Sequence, residues 1–164
     1  MMCDLMGASP SVHIEPLEPS DVVAVAQCIA LDATAFPHES IPLLTNVRSA
    51  RVWVARLSGE SAVVGFLGVH CRNRAMYISG LAVDPRFRRR GVGRALLRAA
   101  IDQASRGDMR EMTLNTAVGN RAAMALYESE GFAIRRRLPA FYARAAVDGG
   151  PDAYEMVRLV AHAT

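Results

Sequence analysis

The chain has 164 residues, 51% of them hydrophobic and 21% charged, with a formal net charge of +3. That apolar content suffices for one globular domain with its own core, while the small basic surplus gives no argument for a nucleic-acid partner. All 19 basic residues are arginine, which excludes a P-loop lysine, a Schiff base and a lysine nucleophile.

The opening MMCDLMGASP has no basic n-region and no sustained apolar h-region. Residues 1–10 therefore read as a disordered tail without targeting chemistry, and the later apolar runs are too short or too interrupted to span a bilayer. Val12 to Leu17 alternates as a strand does, and Glu18-Pro-Ser-Asp21 supplies the proline and N-cap for a helix from Val22 to about Ala33. Phe36 to Ser40 breaks that helix, and Ile41 to Val47 could add a short one. Three β-rich runs follow, 51–57, 62–70 and 75–83, separated by short polar connections, and they read as an antiparallel meander.

From Gly91 to about Arg106 the period becomes helical, with Val92, Ala95, Leu96 and Ala99 on one stripe and Gly107 as the stop. Arg110 to Ala117 is a strand, Asn120 to Glu130 a helix capped by Asn120, and Phe132 to Leu138 and Asp152 to Val160 are strands, joined by a mobile loop from Tyr142 to Pro151. The strand–helix–strand–helix–strand order in the middle favours parallel pairing by right-handed crossover. The expected fold is α/β: a mixed sheet of about six to seven strands, antiparallel in its N-terminal half with parallel central pairing, flanked by about four helices.

Cys3, Cys28 and Cys71 are odd in number and lack a C-x-x-C pair, as expected of reduced cytoplasmic thiols, and no activating motif surrounds them. The four histidines show no paired spacing, so no metal site is expected.

The segment Asp84-Pro-Arg-Phe-Arg-Arg-Arg-Gly-Val-Gly-Arg94 crowds arginines against the start of a helix. Free N–H groups at a helix N-terminus and the positive end of its dipole form an anion cradle, and glycines let a phosphate come close. Arg88, Arg89, Arg90 and Arg94 make a pyrophosphate the better ligand, because several charge-assisted bonds can converge on it. The dinucleotide fingerprint fails because position 96 is leucine, and what remains is R-x-x-G-x-G from Arg88 to Gly93. Preceded by Leu81-Ala-Val-Asp-Pro85, this hexapeptide resembles the pyrophosphate motif of the GNAT superfamily of acyl-CoA-dependent N-acyltransferases. Asn120-Arg-Ala-Ala-Met-Ala-Leu-Tyr-Glu-Ser-Glu-Gly-Phe132 is similar to a second motif of that superfamily, N-x-x-A-x-x-L-Y-x-x-x-G-F. Ala35-Phe36-Pro37, Phe141-Tyr142 and Asp152-Ala-Tyr-Glu-Met156 extend the resemblance to the Rim-type ribosomal-protein N-terminal acetyltransferases.

The resemblance implies that residues 1–164 form one acyl-CoA N-acyltransferase domain, with acetyl-CoA as acyl-donor co-substrate. Its ligands would be Leu81, Ala82, Val83, Arg88, Arg89, Arg90, Gly91, Val92, Gly93, Arg94, Asn120, Ala123 and Tyr127. In the family a bulge at the position of Gly80 frees backbone amides near Leu81, Ala82 and Val83 to hold the pantetheine arm and polarise the thioester. Asn120 and Tyr127 are seven residues apart, hence on one helix face about 10 Å apart, with small Ala123 between them. A phenol with an unperturbed pKa of about 10 arrives protonated at neutral pH, so Tyr127 can return a proton to the departing thiolate.

The resemblance also implies that Phe36, Tyr77, Asn115 and Tyr142 face the acceptor. Where the Rim-type enzymes carry a glutamate, five residues before the motif asparagine, this chain has Asn115, and His38, Glu39, His70 and Tyr77 are the conceivable substitutes for a base. The expected function is direct transfer of acetyl to a primary amine in a ternary complex, foremost a peptide or protein N-terminal α-amine. The alternatives are a small-molecule amine acetyltransferase and a non-catalytic acyl-CoA-binding domain. An RNA-binding role lacks the interleaved aromatics it would need, Phe87 standing alone among the arginines. The oligomeric state, monomer or homodimer, stays open.

Overall fold

The computed structural model describes residues 11–36, 50–59, 61–142 and 150–161. In chain order the elements are β1 (Val12–Pro16), α1 (Val22–Ala35), β2 (Ala50–Leu57), β3 (Val63–Arg72), β4 (Ala75–Val83), a 3₁₀ turn (Pro85–Phe87), α2 (Val92–Arg106), β5 (Glu111–Ala117), α3 (Arg121–Ser129), β6 (Ala133–Leu138) and β7 (Ala153–Leu159). The strands form one seven-stranded sheet in the order β1-β2-β3-β4-β5-β7-β6. All neighbours run antiparallel except β4 and β5, which run parallel. The mixed sheet and its parallel centre match the expectation from sequence. The helix proposed for Ile41 to Val47, most of the loop from Tyr142 to Pro151 and the tail at 1–10 lie outside the described residues.

Local chemistry sets the boundaries. Asp21 caps α1 by accepting the Ala24 N–H at 2.9 Å, and its other oxygen holds Arg56 Nη2 at 2.9 Å. Arg56 Nε donates to Glu15 at 2.7 Å, so a single guanidinium ties β1, β2 and the start of α1 together. Between β3 and β4 the tight turn is only Asn73-Arg74, both at positive φ, the geometry whose twist suits a two-residue hairpin. Arg74 tolerates that conformation with its guanidinium bound to Asp108, and its Nε donates to the Asp108 carbonyl at 3.1 Å. The strands therefore run further into the turn than the four-residue connection read from sequence.

The sheet is covered on both faces. Leu96, Leu97, Ala100 and Ala104 of α2 pack with Leu67, Val69, Met76, Ile78, Met112 and Leu114 on one face. Ala24 and Cys28 of α1 pack with Val52, Val54, Phe66 and Ala82 on the other. Burial pushes the Cys28 thiol up to about 11, so it serves the core and not nucleophilic chemistry.

The second strand–helix–strand unit departs from simple crossover pairing. β6 does not bond to β5; β7 enters between them, antiparallel to both. The reason is apolar content. β7 buries Ala153 and Met156, whereas Ala133 to Arg137 of β6 are exposed, so the more apolar strand takes the interior position. β6 then sits at the sheet edge, where its arginine run discourages pairing with another chain.

Gly65 lies where β3 passes under the start of α2. A Cβ there would stand 3.0 Å from the Ala82 carbonyl oxygen and 3.2 and 3.3 Å from side-chain carbons of Leu96 and Val92. Because the nearest atom is backbone, Gly65→Ala should destabilise the fold by about 1–3 kcal/mol, measured as a lowered midpoint of denaturant unfolding.

Candidate active site

Two features of β4 create the site. Gly68 pairs with Gly80 but Val69 pairs with Ile78, so Ser79 is an extra residue, a β-bulge. The bulge reverses the side-chain phase. Met76 and Ile78 face α2 before it; beyond it Leu81 and Val83 do so and Ala82 turns towards α1. The second feature is that β4 and β5 are paired only from Ala75 to Ile78 and from Glu111 to Leu114. Both strands continue, β4 to Val83 and β5 to Ala117, so the sheet opens between them.

The amides facing this opening follow from alternation. Asp84 N donates to Val64 O at 2.9 Å, so the N–H of Ala82, two residues back, also points to β3, and those of Leu81 and Val83 point into the gap. Arg88 Nε reaches Val83 O from that side at 3.0 Å. Of the three backbone segments assigned to the acyl arm, Leu81 and Val83 thus present donors, and Ala82 contributes a buried side chain.

Next comes the cradle. Asp84 accepts the Arg86 N–H at 2.9 Å and pairs with its guanidinium at 2.7 Å, which holds the Asp84 carboxyl below the usual carboxylate range. The guanidiniums of Arg86 and Arg90 each stand 5.6 Å from the Phe87 ring centre. Gly91 then opens α2 at φ +80 with no side-chain cap, and a Cβ there would meet nothing within 4 Å. The first-turn N–H groups of Val92, Gly93 and Arg94 have no intrahelical partner. Among the described residues, Arg89 and Arg90 make no ion pair with a carboxylate and Arg88 only feels the charge of Asp84, in contrast to Arg86, Arg94 and Arg98. The cradle is open space lined with amides and largely uncompensated cations, which fits a pyrophosphate. Arg94 is the exception among the predicted cations: its guanidinium is engaged by Glu130 and by Ser129 Oγ.

The remaining residues converge on the gap from both faces. Asn115 Nδ2 lies 3.4 Å from the Tyr77 hydroxyl, a long hydrogen bond, on the face away from α2. Tyr127 comes from the α2 side, buried, its ring edge-on to Phe132 at 6.0 Å. Burial, with a smaller contribution from Tyr77, pushes the Tyr127 phenol up to about 12. Asn120 is exposed and spends its oxygen on capping α3, accepting the Ala123 N–H at 3.2 Å, while Ala123 is half-buried beside the core. Phe36 ends α1 and packs against the α1 core, and Tyr142 stacks edge-on with Phe141 at 5.0 Å. His70 is the cross-strand neighbour of Tyr77; His38 and Glu39 lie outside the described residues. Reading the sequence missed Glu130, although an acid at the end of one helix with Arg94 and Arg98 one turn apart on another was its visible signal. A separate cavity of about 340 Å³, lined by Arg51, Trp53 and Gln103 among others, opens against β1, β2 and the C-terminal half of α2. It contains none of the residues above.

A mixed sheet that parts at a bulged strand, beside a glycine–arginine helix start, defines a protein built to hold a phosphate-bearing carrier along the gap. Residues 23–132 match the acetyltransferase (GNAT) family, and the chain belongs to that family. It is 33% identical over 119 residues to the [ribosomal protein bS18]-alanine N-acetyltransferase of Escherichia coli K12, covering 73% of this chain and 79% of that protein. It is 40% identical over 82 residues to N-alpha-acetyltransferase 30 of Xenopus laevis, covering 49% of this chain but only 30% of that longer protein. The crystal structure of Ard1 from Thermoplasma volcanium superposes with a TM-score of 0.77 at 28% identity, over 92% of this chain and 99% of that one. No helix among the described residues is long and apolar enough to cross a membrane.

Replacing Arg89 and Arg90 together with alanine should weaken CoA binding by at least about tenfold, since each bond to a charged group contributes about 1.5–3 kcal/mol. Calorimetric titration with CoA on the folded variant checks this; unchanged affinity would remove the cradle assignment.

Proposed function

We propose that this protein is an acetyl-CoA-dependent N-acetyltransferase that acetylates the α-amine of peptide or protein N-termini by direct attack in a ternary complex, within one catalytic domain. The observation that carries the reading is the opening between β4 and β5, which the amides of Leu81 and Val83 face and beside which Tyr77 and Asn115 meet. The activities for which the bS18-alanine N-acetyltransferase and N-alpha-acetyltransferase 30 are named support the same acceptor class.

In this mechanism Arg88, Arg89, Arg90 and the first-turn amides of α2 hold the pyrophosphate of acetyl-CoA. The N–H groups of Leu81 and Val83 stabilise the negative charge that develops on the thioester oxygen. The amine forms a C–N bond as the C–S bond breaks. Asn115 and Tyr77 orient the neutral amine, whose surplus proton leaves to water after attack, and Tyr127 gives its hydroxyl proton to the departing thiolate and regains one from water. The family carboxylate is replaced by an amide at Asn115, which cannot take a proton. An α-amine of pKa about 7.7–8.0 is about a quarter neutral near pH 7.4, whereas a lysine amine near 10.4 is only about 0.1% neutral, so the site suits the former. The same reading takes Phe36 and Tyr142 as flanks of the acceptor. It places the protein in the cytoplasm, where free thiols such as Cys28 and Cys71 persist.

Thiol release from acetyl-CoA, with mass spectrometry of the product, tests the acceptor. Short peptides with free N-termini should be acetylated there, and N-terminally blocked lysine peptides and polyamines should not. The kcat/KM value should rise between about pH 6.5 and 8.5 as the free amine appears, and efficient turnover of polyamines with none on any peptide would overturn the reading.

Tyr127→Phe should lower kcat by about 10²–10⁴ with acetyl-CoA affinity unchanged. Because the phenol is raised to about 12, the acid form persists as pH rises, and wild-type kcat should show no descending limb below about pH 10. A pH–rate profile over that range checks the sign.

A further inference from the structure

Glu130 follows α3 directly and stands three residues after Tyr127, its N–H donating to the Tyr127 carbonyl at 3.1 Å. Its carboxyl is only 9% exposed and turns back onto α2. Arg98 Nε donates to one oxygen at 3.0 Å, and Arg94 Nε stands 3.0 Å from the other, off the hydrogen-bonding direction, so that second contact is ionic only. The two arginines are one turn apart, and Arg94 belongs to the same first turn of α2 whose amides line the cradle. Arg94 Nη2 also donates to Ser129 Oγ at 3.1 Å, and Arg158 Nε of β7 donates to the Glu130 carbonyl at 2.9 Å. One residue therefore joins α2, α3 and β7.

The helix it anchors has only nine residues, too few to be stable by itself. Leu126 lies against Gly93 at the start of α2, and Ala123, Leu126 and Tyr127 face the core. Apolar packing is not directional, whereas charge-assisted bonds fix the angle of a short helix. The angle matters because proton donation requires the phenol within about 2.6–3.2 Å of the thiolate it serves, and the cradle determines where that thiolate lies.

We propose that Glu130 is a positioning residue: its ion pairs with Arg94 and Arg98 hold α3, and with it the Tyr127 hydroxyl, at the correct distance from a carrier seated at the start of α2. The inference rests on the reading of Tyr127 as the acid. Glu130→Gln keeps the shape and removes the charge. It should lower kcat by about 10- to 100-fold, the cost of a misplaced reacting group, while acetyl-CoA affinity measured by calorimetry stays at the wild-type value. In a Tyr127→Phe background the same substitution should cost nothing further, because the group it positions is gone, whereas independent sites would combine additively in free energy. Should Glu130→Gln not fold, Arg98→Gln loosens the clamp from its exposed side and should give the same pattern at smaller size. Unchanged kcat in Glu130→Gln, loss of acetyl-CoA affinity in step with kcat, or a full additional loss in the Tyr127→Phe background would each overturn the inference. Wild-type kcat in Tyr127→Phe alone would instead overturn the acid assignment, and this inference with it.

Discussion

The parallel ladder between β4 and β5 stops at Ile78 and Leu114, and the rest of the molecule is arranged around that interruption. Ending a ladder in mid-sheet leaves backbone donors that would be costly if buried without partners. The structure keeps that cost low by placing them at an opening, where a ligand or water can reach them. The bulge at Ser79 makes the same point from the other edge of β4: it turns the amides of Leu81 and Val83 towards the gap while Ala82 continues the ladder with β3. Pairing on one side and availability on the other are produced by a single extra residue.

Charge is distributed by the same logic. Several arginines of the sheet are matched: Arg56 by Glu15 and Asp21, Arg135 by Glu111 and Glu155, Arg136 by Glu155, and Arg137 by Asp152. Those at 88, 89 and 90 make no ion pair with a carboxylate among the described residues, Arg88 feeling only the charge of Asp84. Their repulsion is tolerated because they are exposed and screened, and it is relieved when an anion arrives. A planar guanidinium that can make two parallel bonds suits this task better than an ammonium, and a chain without lysine draws on nothing else.

Burial raises two titratable groups of the core. The Cys28 thiol is pushed up to about 11 by desolvation in the α1 core, which removes it as a nucleophile. The Tyr127 phenol is pushed up to about 12 by the same cause, which keeps it protonated at neutral pH. Position 115, beside Tyr77, holds an amide and not a carboxylate.

Much of this was legible in the chain itself. Period and punctuation located every described strand and helix to within a few residues. Gly91 announced the start of α2 with its unpartnered first-turn amides, because a left-handed helix start is a local property. The 3.6-residue period likewise put Asn120 and Tyr127 on one helix. What sequence could not decide was set between elements distant along the chain. β7 displaces β6 from the side of β5 because burial is compared across strands, not within one. Ser79 becomes the bulged residue only through its register with β3, and the clamp of Glu130 on Arg94 and Arg98 exists only once α2 and α3 are side by side. Local periodicity is written residue by residue, whereas register, strand order and ion-pair partners are settled by packing between segments, and the meeting of Tyr77 and Asn115 beside the gap is of that second kind.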